Sequence, residues 1–132
     1  MRLLADTSAL VALFLRSDGR HAAAAAFVRK QPSARFVLTD LILAEVVTIV
    51  RMRADARRAV AVARSFHDSH RYELLLVDGD LLTAAIDTME RFADKRLSLV
   101  DCASFAVLER LRLDGAFSFD RDFRDCGYST VP

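Results

Sequence analysis

The chain has no tryptophan, two prolines, four glycines and two cysteines in 132 residues. With Pro32 and Pro132 its only prolines, it carries no Pro- or Gly-rich linker, and a single domain over residues 1–132 is expected. Cys102 and Cys126 lack CxxC spacing and cannot build a disulfide framework, so they read as reduced thiols of a cytoplasmic protein. An excess of either charge is also missing: 19 Lys and Arg stand against 18 Asp and Glu, which gives no global signal for nucleic acid or an acidic membrane. No period repeats along the chain, which excludes a solenoid. The apolar stretch Leu3–Leu15 superficially resembles a signal peptide. Asp6 interrupts it, no small-x-small cleavage site follows, and it is shorter than the ~20 residues a membrane span needs. A buried strand followed by a helix is expected there, with no membrane partner.

Hydrophobic residues make up 53% of the chain, arranged as short apolar runs alternating with helical patterns. Strands are expected near Leu3–Ala5, Phe36–Leu38, Leu74–Val77, Ala116–Phe119 and Tyr128–Val131. Helices are expected from about Ser8, over His21–Lys30, from a Thr39 or Asp40 cap to Met52, and over Asp55–His70, Leu81–Phe92 and Ser98–Leu113. Apolar strands between helices predict an α/β fold, a three-layer α/β/α sandwich around a parallel sheet of about five strands. Ligands in such folds gather beyond the carboxyl ends of the strands, where the strand order reverses.

Carboxylates stand where a charge is costly to bury. Asp6 follows Leu3-Leu4-Ala5, Glu45 lies inside Ile42–Val47, Asp101 sits in Ser98-Leu99-Val100-Asp101-Cys102-Ala103, and Asp120 ends Phe117-Ser118-Phe119. Helix capping explains Asp6 or Asp120 taken singly just as well. Ser98 to Asp101 also has capping-box spacing with an acidic third residue. Glu45 is harder to explain this way, because a helix interior offers no free N–H; its alternatives are an Arg partner such as Arg2 or Arg51, or a narrow exposed stripe. Jointly the four predict one acidic site whose natural counter-charge is a hard divalent ion, Mg²⁺ or Mn²⁺. With them set aside, 14 acids remain against 19 Lys and Arg, so the rest of the surface is modestly basic.

In these motifs, Asp6-Thr7-Ser8-Ala9-Leu10, Glu45 in its apolar helix, Ser98–Ala103 and Phe117–Phe123, the chain resembles the PIN-domain family, in particular the small VapC-type ribonuclease toxins. The resemblance runs in matching order over nearly the whole chain. Cys102 is a departure, where these proteins often have alanine, and it is also small. The resemblance implies a PIN-like fold and carries Asp6, Glu45, Asp101 and Asp120 over as a catalytic quartet. Asp6 and Asp101 are then the positions most directly linked to metal, Glu45 and Asp120 act through water or a second ion, and Asp122 is an auxiliary acid. Thr7 or Ser8 would orient a ligand or water, although a helix-start hydrogen bond explains each equally well.

The reaction so implied is hydrolysis of an RNA phosphodiester by water, leaving 5′-phosphate and 3′-hydroxyl ends, with metal assistance and no side-chain nucleophile. The further implications are a VapB-type antitoxin that blocks the acidic pocket, and a homodimer. Among Arg51, Arg53, Arg57, Arg58, Arg64, Arg121 and Arg124, the last two are preferred as phosphate contacts because their turn adjoins Asp120. The others read chiefly as solvated helix charges. His67 and His70 lack companion ligands and read as a surface helix end. An aspartyl phosphatase is disfavoured by the missing Asp-x-Asp start, and a receiver domain by the lack of an acid beside Asp6. A non-catalytic RNA- or protein-binding PIN-like module is the alternative function.

Overall fold

The computed structural model describes residues 1–132. Its elements alternate as expected: β1 (Arg2–Ala5), α1 (Thr7–Phe14), α2 (His21–Lys30), β2 (Arg35–Thr39), α3 (Asp40–Arg53), α4 (Ala56–Asp68), β3 (Tyr72–Leu75), α5 (Gly79–Arg91), α6 (Leu99–Arg110), β4 (Gly115–Phe117), α7 (Arg121–Asp125) and β5 (Thr130–Val131). The five strands form one sheet in the order β3-β2-β1-β4-β5, and every neighbouring pair is parallel. The chain moves outward from β1 through β2 to β3, then returns to the other side of β1 with β4. The strand order therefore reverses between β1 and β4, the place where a parallel α/β sheet leaves a crevice.

Side chains alternate across each strand, so both faces of the sheet are buried. Leu3, Ala5, Phe36, Leu38 and Phe117 join a core with residues of α1 to α4, while Leu4, Val37 and Ala116 join a second core with Leu81, Phe105 and Phe123 from the later helices. This two-sided burial is why the strands read as continuous apolar runs rather than as alternating ones. No helix is long and apolar enough to cross a membrane, and the signal-like stretch is β1 followed by α1.

Several boundaries differ from expectation. The third strand begins at Tyr72 rather than Leu74, because the Tyr72 ring packs against Phe36 and edge-on against Phe66, at centroid distances of 5.8 and 5.0 Å. It ends before Val77, whose N–H donates to Asp40 Oδ1 rather than to a strand. The helix expected to reach Leu113 stops at Arg110, where Leu111 caps it and Arg112 takes a left-handed φ of 48°. Finally, β4 closes at Phe117, and Asp120 lies three residues beyond it as the N-cap of the short helix α7.

Candidate active site

Asp6 is buried at the carboxyl end of the central strand and caps α1. Its Oδ2 accepts from the Ser8 amide at 3.2 Å, Ser8 Oγ at 2.7 Å and Ser118 Oγ at 2.9 Å. The two hydroxyls also tie β1 to the chain after β4: Ser8 Oγ accepts from the Phe119 amide at 2.9 Å, and Ser118 Oγ from the Asp120 amide at 3.0 Å. Neighbouring strands thus hold Asp6 and Asp120 on either side of the same crevice. Ser118 escapes sequence reasoning, since a lone serine between two phenylalanines carries no chemical signal of its own. Only the pairing of β1 with β4 reveals what it touches.

Glu45 lies half-buried on α3, and its Oε1 accepts from Thr7 Oγ1 at 2.6 Å. Neither proposed arginine holds it; Arg2 pairs with Glu73 at 2.7 Å. Thr7 and Ser8 therefore serve different acids, one holding Glu45 and the other Asp6. Asp101 completes a capping box at the start of α6, its Oδ2 accepting from the Ser98 amide at 3.1 Å while its own amide donates to Ser98 Oγ at 3.0 Å. Asp120 Oδ1 accepts from the Asp122 amide at 2.9 Å.

Every one of the four carboxylates thus commits one oxygen to a structural hydrogen bond and keeps the other unbonded within the chain: Oδ1 of Asp6, Oε2 of Glu45, Oδ1 of Asp101 and Oδ2 of Asp120. Capping and ligand binding are therefore compatible in each residue. None of the four pairs with Arg or Lys.

Burial pushes the Asp6 carboxyl above its usual range, against the lowering effect of the Ser8 and Ser118 hydrogen bonds and with a smaller push from the charge of Asp101. Asp101 is raised first by burial too, with Asp120 and Asp122 adding repulsion. These aspartates sense one another's charge, so the crevice accumulates negative potential with no cation from the chain to offset it. An all-oxygen set of this kind fits a hard divalent ion and not a soft one. No three acid, histidine or thiol side chains are drawn into a metal cage.

Beside Thr7 and Ser8 opens a cleft of about 360 Å³, walled also by Arg20, Arg53, Asp18 and Ile49. Arg121 and Arg124 are exposed on α7, next to Asp120.

A model of the PIN domain matches residues 3–127. The 23S rRNA-specific endonuclease VapC20 of Mycobacterium tuberculosis is 30% identical over 129 residues, covering 98% of this chain and 97% of that protein. The crystal structure of that toxin, described as cleaving the sarcin–ricin loop, superposes with a TM-score of 0.88 at 29% identity, over 96% of both chains. A toxin–antitoxin complex from Klebsiella pneumoniae has a chain with a TM-score of 0.69 at 17% identity, covering 98% of this chain and 96% of that one, a likeness of fold alone.

Proposed function

The chain belongs to the PIN-domain family, and from that premise we propose that it is a Mg²⁺- or Mn²⁺-dependent endoribonuclease, the toxin of a type II toxin–antitoxin pair. What supports the metal dependence is that Asp6, Glu45, Asp101 and Asp120 each keep one oxygen free of any partner in the chain, and that Asp6 senses the charge of Asp101, and Asp101 that of Asp120.

In this reading Asp6 and Asp101 would hold the ion, and Glu45 and Asp120 would reach it through water or hold a second one. The chemistry such an ion would supply there is a more acidic water and neutralisation of charge on the phosphoryl oxygens. Thr7 fixes Glu45 Oε1 and so aims Oε2. Ser8 and Ser118 hydrogen-bond Asp6 Oδ2, which favours the carboxylate form against the effect of burial and leaves Oδ1 without a partner in the chain. Asp122 adds negative potential next to Asp101. Arg121 and Arg124 stand nearest Asp120 to steady the phosphate at the cut. A single domain over residues 1–132 located in the cytoplasm completes this reading.

The partners follow from the same premise: an RNA substrate, for which the relative's 23S rRNA is the first to try; a VapB-type antitoxin; and a second copy of the chain. The dimer has support in the apolar stripe Leu82, Ile86 and Met89 on α5, exposed by 40%, 53% and 38% at helical spacing. The deciding experiment is cleavage of end-labelled 23S rRNA by purified protein in Mg²⁺ or Mn²⁺, beside EDTA and an Asp101→Asn variant. Cleavage abolished in both controls supports the metal nuclease. Equal cleavage in all samples refutes the mechanism, and metal-dependent RNA binding without cleavage favours the binding-module alternative.

A further inference from the structure

Outside the carboxylates, several arginines line two clefts that share Arg53. The first starts at Thr7 and Ser8, which hold Glu45 and Asp6, and is walled by Arg20 and Arg53. The second, about 620 Å³, continues from Arg53 to Arg16 and Arg58. These arginines come from different places in the chain: Arg16 and Arg20 from the α1–α2 connection, Arg53 from the last residue of α3 and Arg58 from the first turn of α4.

A single acid, Asp18, lines the pair of clefts, with Oδ2 4.0 Å from Arg53 and Oδ1 accepting the Arg20 amide. Arg20 is fixed in place, since Nη1 donates to the Phe119 carbonyl at 3.2 Å and the guanidinium lies 5.2 Å from the centre of the Phe119 ring. It therefore stands beside the loop that carries Asp120. Arg58 pairs with Asp55 at 3.7 Å, and Arg53 and Arg58 keep 59% and 71% of their side-chain surface open to solvent. Like charges lined along a groove repel and add nothing to folding, but they suit a polyanion whose phosphates recur at regular spacing.

Resting on the ribonuclease reading of the acidic site, we propose that this groove is the track for the RNA backbone flanking the scissile phosphate. Arg20 guides the strand into the crevice, Arg53 is the central phosphate contact, and Arg16 and Arg58 hold the distal part. An acidic segment of a protein partner is the competing occupant.

The test is fluorescence anisotropy with Asp101→Asn protein in EDTA, where binding is read without cleavage. The probes are a labelled hairpin of the sarcin–ricin sequence and a labelled oligouridylate, each titrated across a range of salt. Adding Arg53→Ala and Arg58→Ala together should lower the slope of log affinity against log salt by about 1.4, which is about 25-fold weaker binding near 0.1 M salt than extrapolation from 1 M allows. Arg57→Ala with Arg64→Ala, also exposed on α4 but outside both clefts, should change affinity by less than about twofold. Equal losses from the two pairs, or none from Arg53→Ala with Arg58→Ala, overturns the track. Retained RNA affinity with lost binding of polyglutamate also overturns it, in favour of the acidic protein segment. Cleavage by the parent protein is scored separately: binding through the track without cleavage sinks the nuclease reading alone, and cleavage with unaltered binding in the Arg53→Ala, Arg58→Ala pair sinks the track alone.

Discussion

At the scale of single residues, the site is built on carboxylates that are half tied down. A cap alone would leave the buried Asp6 comfortable, yet both Asp6 and Asp101 have their carboxyls pushed up, first by burial and then by other acids. The sign of the consequence follows from linkage. The folded protein binds these protons more tightly than the unfolded chain, so between the ordinary aspartate value of 3.8 and the raised folded value, stability falls as pH rises. In the presence of a chelator, the melting temperature of the wild type relative to Asp6→Asn should therefore rise as pH is lowered from neutral toward the ordinary aspartate value, and Mg²⁺ or Mn²⁺ at neutral pH should restore part of that gain. A flat difference between the two proteins across this range would count against a strained, cation-seeking Asp6. Glu109 works in the opposite sense: hydrogen bonds from Arg91 and Tyr128 lower its carboxyl, so its contribution is lost only as pH falls below the ordinary glutamate range. The acids were legible in the sequence because a charge inside an apolar run demands a reason. Ser118, Arg16 and Arg20 were not, because a serine or a loop arginine has many ordinary uses and gains a specific one only from what the fold sets beside it.

At the scale of elements, most helix starts were legible, although α5 begins at Gly79 rather than near Leu81 and the short α7 was not expected. Asp6, Thr39, Asp55, Asp78, Ser98 and Asp120 each place a side-chain oxygen on a backbone amide of the helix that follows. Strand ends were less legible, because hydrogen-bonding partners decide them and apolarity does not. Leu74 and Leu76 belong to the strand expected over Leu74–Val77, but Leu74, on the edge strand β3, is 37% exposed and Leu76, just past it, 66%. The β4–β5 edge has a sharper constraint. A Cβ on Gly115 would stand 2.9 Å from the Ser129 carbonyl oxygen, which accepts the Ala116 amide at 2.9 Å. Gly115→Ala should therefore push β5 away and cost about 1–3 kcal/mol, read by chemical denaturation. Wild-type stability in that variant would mean that this edge is looser than its hydrogen bonds imply.

At the scale of the whole molecule, the layered architecture was legible from the alternation of runs, while strand adjacency was not. Asp6 and Asp120 lie far apart in the chain, and only the parallel pairing of β1 with β4 makes them neighbours. The outer surface divides its tasks in a similar way. The arginine-lined clefts open beside α1, α3 and α4, whereas the apolar stripe lies on α5. If a second copy covers that stripe, Ile86→Asp should convert a sedimenting dimer to monomer without unfolding it, because Ile86 is 53% exposed and supports no core in the monomer. A wild type that sediments as a monomer would remove the dimer from the reading.

The strand order has a consequence in time as well as in space. The first strand to leave a ribosome is the middle strand of the finished sheet, and the neighbour that completes the crevice comes from Gly115–Phe117, late in the chain. Until that stretch emerges, Asp6 has neither Ser118 beside it nor Asp120 across from it. The acidic site of a growing chain is therefore incomplete until the stretch after β4 has been made and has paired beside β1.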